Sequence, residues 1–344
     1  VSNKEVVHKL IYKKKRKKQL AEPEIAWSSV SWVLNGVGRA DGYLEYGKTG
    51  CKPDILQYGN RVLLRFSNGL ENWGGVIDPP RGRDSGGISI TAYSGEWLLD
   101  WRRTAYTRTF SGSYPGTIYR TLIQEENEER VTGVVPGNIH TGGLGRYPEY
   151  HYHNLLQRIQ DLVDLSGQDM EIKPIYNGTT LEFQAYWYAQ RGTDRSSSVS
   201  LIEGRNCQNP QLRESGKIFN VIRLVGEGTY WSSDRIRSTS VDPASINKYG
   251  YREWAQVQAT VKYQDTLDEN ADELLDYYKD PRVRLTLDAL DQDPFGFENY
   301  NVGDIVTAEV LLQDEDWAYI DAVRILGRQW DGGDKCMLEV VSWE

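Results

Sequence analysis

Cysteine is scarce: Cys51, Cys207 and Cys336 are the only three in 344 residues, far apart and without metal-ligand spacing. An odd, scattered set argues against a disulfide framework or a cysteine-built zinc site, and suits synthesis in a reducing compartment. Long apolar runs are missing as well. No stretch approaches the ~18 consecutive apolar residues that a membrane span needs, and the polar N-terminus has no signal-peptide core. The expectation is therefore neither a membrane protein nor an exported precursor. No Gly-X-Ser-X-Gly elbow, phosphate loop or dinucleotide fingerprint occurs in its strand-turn-helix context. The glycine-rich stretch from Gly74 to Gly87 has no Lys-Ser/Thr pair to follow a phosphate.

Tyrosine and tryptophan, by contrast, are abundant: 22 Tyr and 11 Trp stand against 6 Phe and 2 Met. Both residues bury area while keeping a polar handle, which suits interfaces, and both favour strands. A carbohydrate-binding surface gives the same statistic. Charge is uneven. The chain carries a net −9, yet its first 20 residues hold seven Lys and one Arg against one Glu. From Lys262 to Glu344 there are 21 acids against 7 bases. A body this acidic repels phosphate backbones, so nucleic-acid binding by the fold is disfavoured. The run Lys13, Lys14, Lys15, Arg16, Lys17, Lys18 reads as a solvated arm or a lysine-protected strand before it reads as a nucleic-acid patch.

Read along the chain, the first third is strand after short strand. VVHKLIY precedes the basic run. Ala26 to Tyr46 and Arg61 to Asp78 each form a strand pair around an Asn-Gly turn, Asn35-Gly36 and Asn68-Gly69. Gly87 to Thr104 adds a strand leading into an apolar Trp-Leu-Leu segment. The middle third differs: Thr117 to Glu129 predicts a short acidic helix, and Val134 to Pro148 a Gly/Pro-rich loop. His153 to Gly167 predicts a helix with Leu155, Leu156, Ile159, Leu162 and Val163 on one face and Gly167 as C-cap. Met170 to Trp187 predicts a hairpin, and Ser200 to Gly228 returns to strands. Last come SINKYGYREWAQVQ, a helix over Thr266 to Pro281 and four strands. The fold class is mainly β with an α/β insertion. The expected domains are a basic arm at 1–24, a first all-β domain, a small barrel or sandwich, at 25–112, an inserted α/β domain at 113–216, and a second β domain with one helix at 241–344. No internal repeat is visible.

Catalytic constellations are thin. His151 and His153 have a His-X-His spacing, with His140 upstream, but no carboxylate or Cys completes a metal set beside them. Glu125/Glu126 and Asp314/Asp316 have the residue types of a glycosidase pair, although acids clustered on polar segments more often form a solvated face. The expectation is no enzyme, no metal and no cofactor.

Taken in order, these segments resemble the tail hub proteins of long-tailed bacteriophages, the family related to the baseplate hub of contractile-tailed phages. The resemblance runs from SSVSWVLNGVGRADGYLEY through RVLLRFSNGLENWGGVID, ISITAYSGEWLLDWRRT and the helix-hairpin LLQRIQDLVDLSG–EIKPIYNGTTLEF to FNVIRLVGEG, similar to the family's strand that returns to the first barrel. It is carried furthest by SINKYGYREW, with Tyr249, Gly250 and Arg252, then a helix, then Gly303-Asp304 opening a strand, then Arg324 within YIDAVRILGRQW. It covers about Ala26 to Trp343. The resemblance implies a structural virion protein at the distal tail tip or baseplate. Such a hub, synthesised in the host cytoplasm, would be a homotrimer with two quasi-equivalent tube-like β-barrel domains per subunit, here 25–112 completed by 217–240 and 241–344, which matches a threefold tip to a sixfold tube around a DNA channel. Its partners would be tail tube subunits, a distal tail protein, a tape measure protein and a separate fibre or spike protein. Many relatives continue into a peptidase, hydrolase or fibre, whereas this sequence stops at Glu344. The basic run has no family counterpart and is expected to clamp an acidic neighbouring subunit. The alternatives are a host-surface carbohydrate- or receptor-binding tail protein and, behind it, a cell-wall-degrading tail enzyme.

Overall fold

The computed structural model describes residues 7–12 and 19–343, apart from 144, 147, 178–179, 216, 229–234, 259–260, 293–294 and 312–317; at 7–12, 19–21 and 214–215 it describes backbone alone. The basic run, Lys13 to Lys18, and the acidic pair Asp314/Asp316 lie outside the described residues.

Seven strands open the chain: β1 (Val7–Tyr12), β2 (Gln19–Ala21), β3 (Ala26–Val33), β4 (Arg39–Glu45), β5 (Arg61–Phe66), β6 (Trp73–Arg83) and β7 (Gly87–Ser94). They hydrogen-bond antiparallel in the order β3-β4-β7-β6-β5-β1-β2. The two Asn-Gly dipeptides fall in the β3–β4 and β5–β6 connections. There Asn35 and Gly69 take the left-handed backbone, φ 58° and 83°, that such turns require. Part of the expected arm at 1–24 is thus sheet, since β1 pairs along the whole of β5.

The chain then leaves the sheet through α1 (Trp97–Asp100), β8 (Arg108–Thr109), α2 (Pro115–Glu129), β9 (Val134–Ile139), β10 (Glu149–Tyr150), α3 (Leu155–Ser166), β11 (Asp169–Tyr176) and β12 (Leu181–Tyr188). The α3 helix is as its periodicity predicts. Leu155, Leu156, Ile159, Leu162 and Val163 are buried, the Asn154 side chain accepts from Gln157 N–H, and Gly167 ends it at φ 63°. A three-stranded sheet, β11-β12-β9, packs against α2 and α3. Here the structure corrects the loop expected at Val134 to Pro148. Pro136 and Gly137 disguise a strand whose ends, Val134 and Ile139, are buried, and β9 runs parallel to β12.

Two strands, β13 (Ser200–Ile202) and β14 (Cys207–Ser215), rejoin the main sheet before a second α/β unit: β15 (Val221–Val225), β16 (Arg237–Val241), α4 (Pro243–Tyr249), β17 (Glu253–Val257) and α5 (Gln264–Tyr278). Its sheet order is β16-β15-β17, with β17 parallel to β15. The sequence attached residues 217–240 to the first β domain; their strands, β15 and β16, bond to each other and to β17. The α5 helix buries Leu267, Ala271 and Leu275 against Ile222, Leu224 and Val261.

The chain closes with β18 (Arg282–Leu290), β19 (Ile305–Val310), β20 (Tyr319–Trp330) and β21 (Lys335–Ser342). Early and late strands form one sheet of 13, along the path β14-β18-β21-β20-β3-β4-β7-β6-β5-β1-β2, with β19 also on β20 and β13 on β19. One core serves both halves: Trp27, Leu44 and Ile90 cluster with Leu201, Leu287, Ile325 and Leu338. The protein is mainly β with α/β insertions. The path has two ends, so among the described residues the pairing of a single chain does not close into a barrel.

Candidate functional site

The chemistry of this fold concentrates at a junction built on buried arginines. Arg324, on β20, reaches across to the first residue of β11, Asp169, and donates to its carboxylate; both side chains are buried. The same guanidinium donates to Arg191 O at 2.9 Å and, through Nε, to Gly303 O at 3.2 Å. Asp169 accepts further from Arg191 N–H at 2.6 Å and from Asn35 Nδ2 at 2.8 Å, while Asn35 Oδ1 receives Met170 N–H. A charge removed from water costs several kcal/mol unless its lone pairs and protons are all matched, and here the partners come from β11, β20 and two turns.

Gly303 and Asp304 belong to the same junction. Gly303 has φ 97°, and a Cβ there would lie 2.8 Å from Arg191 O. Asp304 accepts from Thr193 N–H at 2.7 Å and Asn301 N–H at 2.9 Å, and Arg195 Nε lies 3.2 Å from its carboxylate. Arg191 carries the network outward, to Glu171 at 2.7 Å and Glu71 at 3.3 Å. Burial holds the Glu71 carboxyl above its ordinary value despite Arg191, with the Glu171 charge adding to the effect. Burial also raises Glu96, against the Ser94 hydroxyl and the Ile172 N–H that donate to it. These three carboxylates, Arg191, Trp32 and Trp73 wall a cavity of 240 Å³. Each carboxylate is bound by fixed protein donors, an arrangement that joins the first β half to β11.

Of the residues singled out by sequence, Gly303, Asp304 and Arg324 come together, whereas Tyr249, Gly250 and Arg252 form a separate turn. Gly250 ends α4 at φ 78°. Buried Asn220 clamps that turn, donating to Gly250 O at 2.8 Å and accepting from Arg252 N–H at 2.8 Å. Sequence reasoning missed Asp169, Arg191, Asn220 and two further arginines. Arg61 donates to Leu181 O at 3.0 Å and to Gly133 O, tying β5 to the first α/β unit. Arg146 donates to Asn270 Oδ1 at 2.7 Å and lies 3.6 Å from Glu273, tying that unit to α5. Burial lowers the proton affinity of both guanidinium groups. A charged residue at the head of a largely apolar strand, as Arg61 in RVLL or Asp169 in DMEI, is the signal that marks these two, whereas Arg146, Arg191 and Asn220 lie outside the strands and carry none.

Glu125 and Glu126 are buried rather than on the solvated face expected of them. Glu125 pairs with Arg108, and adjacent helical positions point ~100° apart, so the two carboxyls do not converge. His151 Nε2 lies 2.9 Å from Glu149, and the His151 and His153 rings are 6.4 Å apart. Among the described residues no three His, Cys, Asp or Glu side chains are grouped to hold a metal.

No family model matches the chain, and no curated protein matches its sequence. Solved structures do match. Prophage tail protein gp18 from Listeria monocytogenes EGD-e superposes with a TM-score of 0.64 at 14% identity, over 98% of this chain and 94% of its own. The 43 kDa tail protein of prophage MuSo2 from Shewanella oneidensis gives 0.65 at 14% identity, over 97% and 98%. A tail protein from Neisseria meningitidis MC58 gives 0.65 at 12% identity, over 98% and 97%. The chain has the fold of bacteriophage tail proteins, the group that the order of its motifs resembles.

Proposed function

We propose that this protein is a structural tail hub: a homotrimer at the distal end of the tail that joins tube to tip and surrounds the channel through which the genome passes. The observation that carries this reading is a fold shared with three phage tail proteins along nearly the whole of both chains. The buried junction supports it. Ion pairs and peptide groups matched across Asp169, Arg191, Asp304 and Arg324 fix units to one another, which is what a coupling piece under load requires. In the trimer each of the two β halves supplies a tube-like wall, which a single chain leaves unclosed. Tail tube subunits and a distal tail protein sit above it, a tape measure protein threads it, and a fibre or spike protein attaches below. The acidic excess gives the channel a sign that repels DNA and lets it slide. Native mass spectrometry of the full chain tests the assembly: three copies are expected, with rings on tube ends in micrographs, and a stable monomer absent from tail tips rejects it.

The basic run Lys13 to Lys18 serves as a clamp on the acidic surface of a neighbouring subunit, where steering and register depend on charge. Because β1 covers β5, deletion of the arm would disturb the sheet; replacing the six basic residues with Gln isolates the charge. Weakened, more salt-sensitive trimers are expected, and unchanged assembly removes the clamp.

A further inference from the structure

One surface feature is not used in the hub reading. Residues 101–109 and 149–154 run antiparallel across the first α/β unit. They are tied at one end by an Arg103–Asn154 bridge and by Thr104 N–H donating to His153 O at 2.9 Å. At the other end Arg108 and Thr109 pair with Tyr150 and Glu149. Between these ties the ladder opens, and Tyr106 and Tyr152 occupy opposite sides of the gap. Tyr152 has φ 52°, a left-handed backbone that a bulky residue rarely adopts. Tyr152 is 68% exposed, so little packing of the ring offsets that strain. Backbone strain kept without a packing reward points to function.

The company of Tyr152 indicates what it meets. Trp101 and Tyr106 are 38% and 45% exposed. The other exposed side chains on these two segments are polar, Thr107, Thr109, His151 and His153 together with the charged Arg103, Arg108 and Glu149, and no aliphatic is exposed among them. A protein hot spot is ringed by groups that exclude water. Aromatic rings set among hydroxyl, imidazole, guanidinium and carboxylate groups, all open to water, fit a sugar instead, whose C–H face stacks on a ring while its hydroxyls need donors and acceptors. His153 is oriented for this, since its Nδ1 accepts from His151 N–H at 3.2 Å and its Nε2 is left for a ligand.

We infer that this strip is a saccharide-binding site, with Tyr152 and Tyr106 as the stacking aromatics and Thr107 and His153 as the hydroxyl-reading groups, while His151, held by Glu149 at 2.9 Å and Thr107 at 3.3 Å through its two ring nitrogens, positions Thr107. The inference goes beyond the hub reading and stands without it. The test is an array of bacterial cell-wall and capsular saccharides probed with the full chain, followed by titration of the strongest hit against Tyr152→Gly and Tyr106→Ala. A hit whose affinity falls at least tenfold in both variants is expected. Tyr152→Gly should melt no lower than the parent, because glycine relieves the left-handed backbone. An array without hits overturns the proposal, as does binding indifferent to both substitutions. So does a melting temperature that drops in Tyr152→Gly, which would make the ring structural. A strip that binds another tail protein and no saccharide overturns it too.

Discussion

The two α/β units are built from similar parts yet joined to the body in different ways. The first shares its interior with the main sheet: Leu63 of β5 and Val76 of β6 lie in the same cluster as Phe183 and Trp187. Gly74 is pressed so closely to Pro174 that a Cβ would sit 2.3 Å from it. Arg61, Glu96 and the Asp169–Arg324 pair add buried polar ties. The second unit has a small core of its own, around Ile222, Leu224 and Leu267, and its described side-chain tie to the first unit is Arg146. The difference teaches that a shared core makes a unit fold with the body, while a private core with a polar tether lets it open alone.

Breaking the junction should give the largest effect. Arg324→Ala leaves Asp169 buried with its charge unmatched, and a loss of about 3–5 kcal/mol is expected in urea unfolding of the whole protein. Arg324→Met with Asp169→Leu should recover only part of it, because both charges are then gone while Arg191 O, Gly303 O and Arg191 N–H lose their partners. The counterpart in the second unit is Asn220→Ala, which strips Gly250 O and Arg252 N–H of their partner. A cost of about 1–3 kcal/mol is expected there, read as faster amide exchange in β15 and β17 with the first unit unchanged. Arg146→Ala sharpens the contrast further. Exchange in α5 should quicken by local opening while α3 still exchanges only through global unfolding; equal acceleration in both helices would mean that the tether is not what separates them.

The smallest expected effect is a pH dependence at the seam between the main sheet and the first unit. Glu71 and Glu96 hold their protons more tightly folded than unfolded, because burial raises both above 4.5. Their contribution to stability is therefore full below 4.5 and is lost as pH rises through the folded values. Glu96→Gln should flatten the slope of melting temperature against pH above 4.5, and an unchanged slope would remove Glu96 from the account.

Short-range signals in the sequence were faithful. Asn154, the apolar stripe from Leu155 to Val163 and Gly167 mark α3 because caps and periodicity act within a few residues. The Asn-Gly turns mark their hairpins for the same reason. What the sequence hid is long-range. Arg324 and Asp169 are 155 positions apart, and β9 has only Val134 and Ile139 to betray a parallel pairing with β12. Glu126 lay in between: it follows Tyr119 and Leu122 at helical spacing on the buried face of α2, but polarity weighed more than period in the reading.

The pairing of β20 has a mechanical consequence. Its first half bonds to β19, its second half to β3, and β21 runs beside it from Val323 onward, past the irregularity between Ile325 and Gly327. Tension along the strands that drags the early half of the sheet past the late half must therefore shear the ladder of Gly327–Trp330 on Val30–Val33 as a row instead of peeling it bond by bond. The seam is a lap joint rather than a hinge.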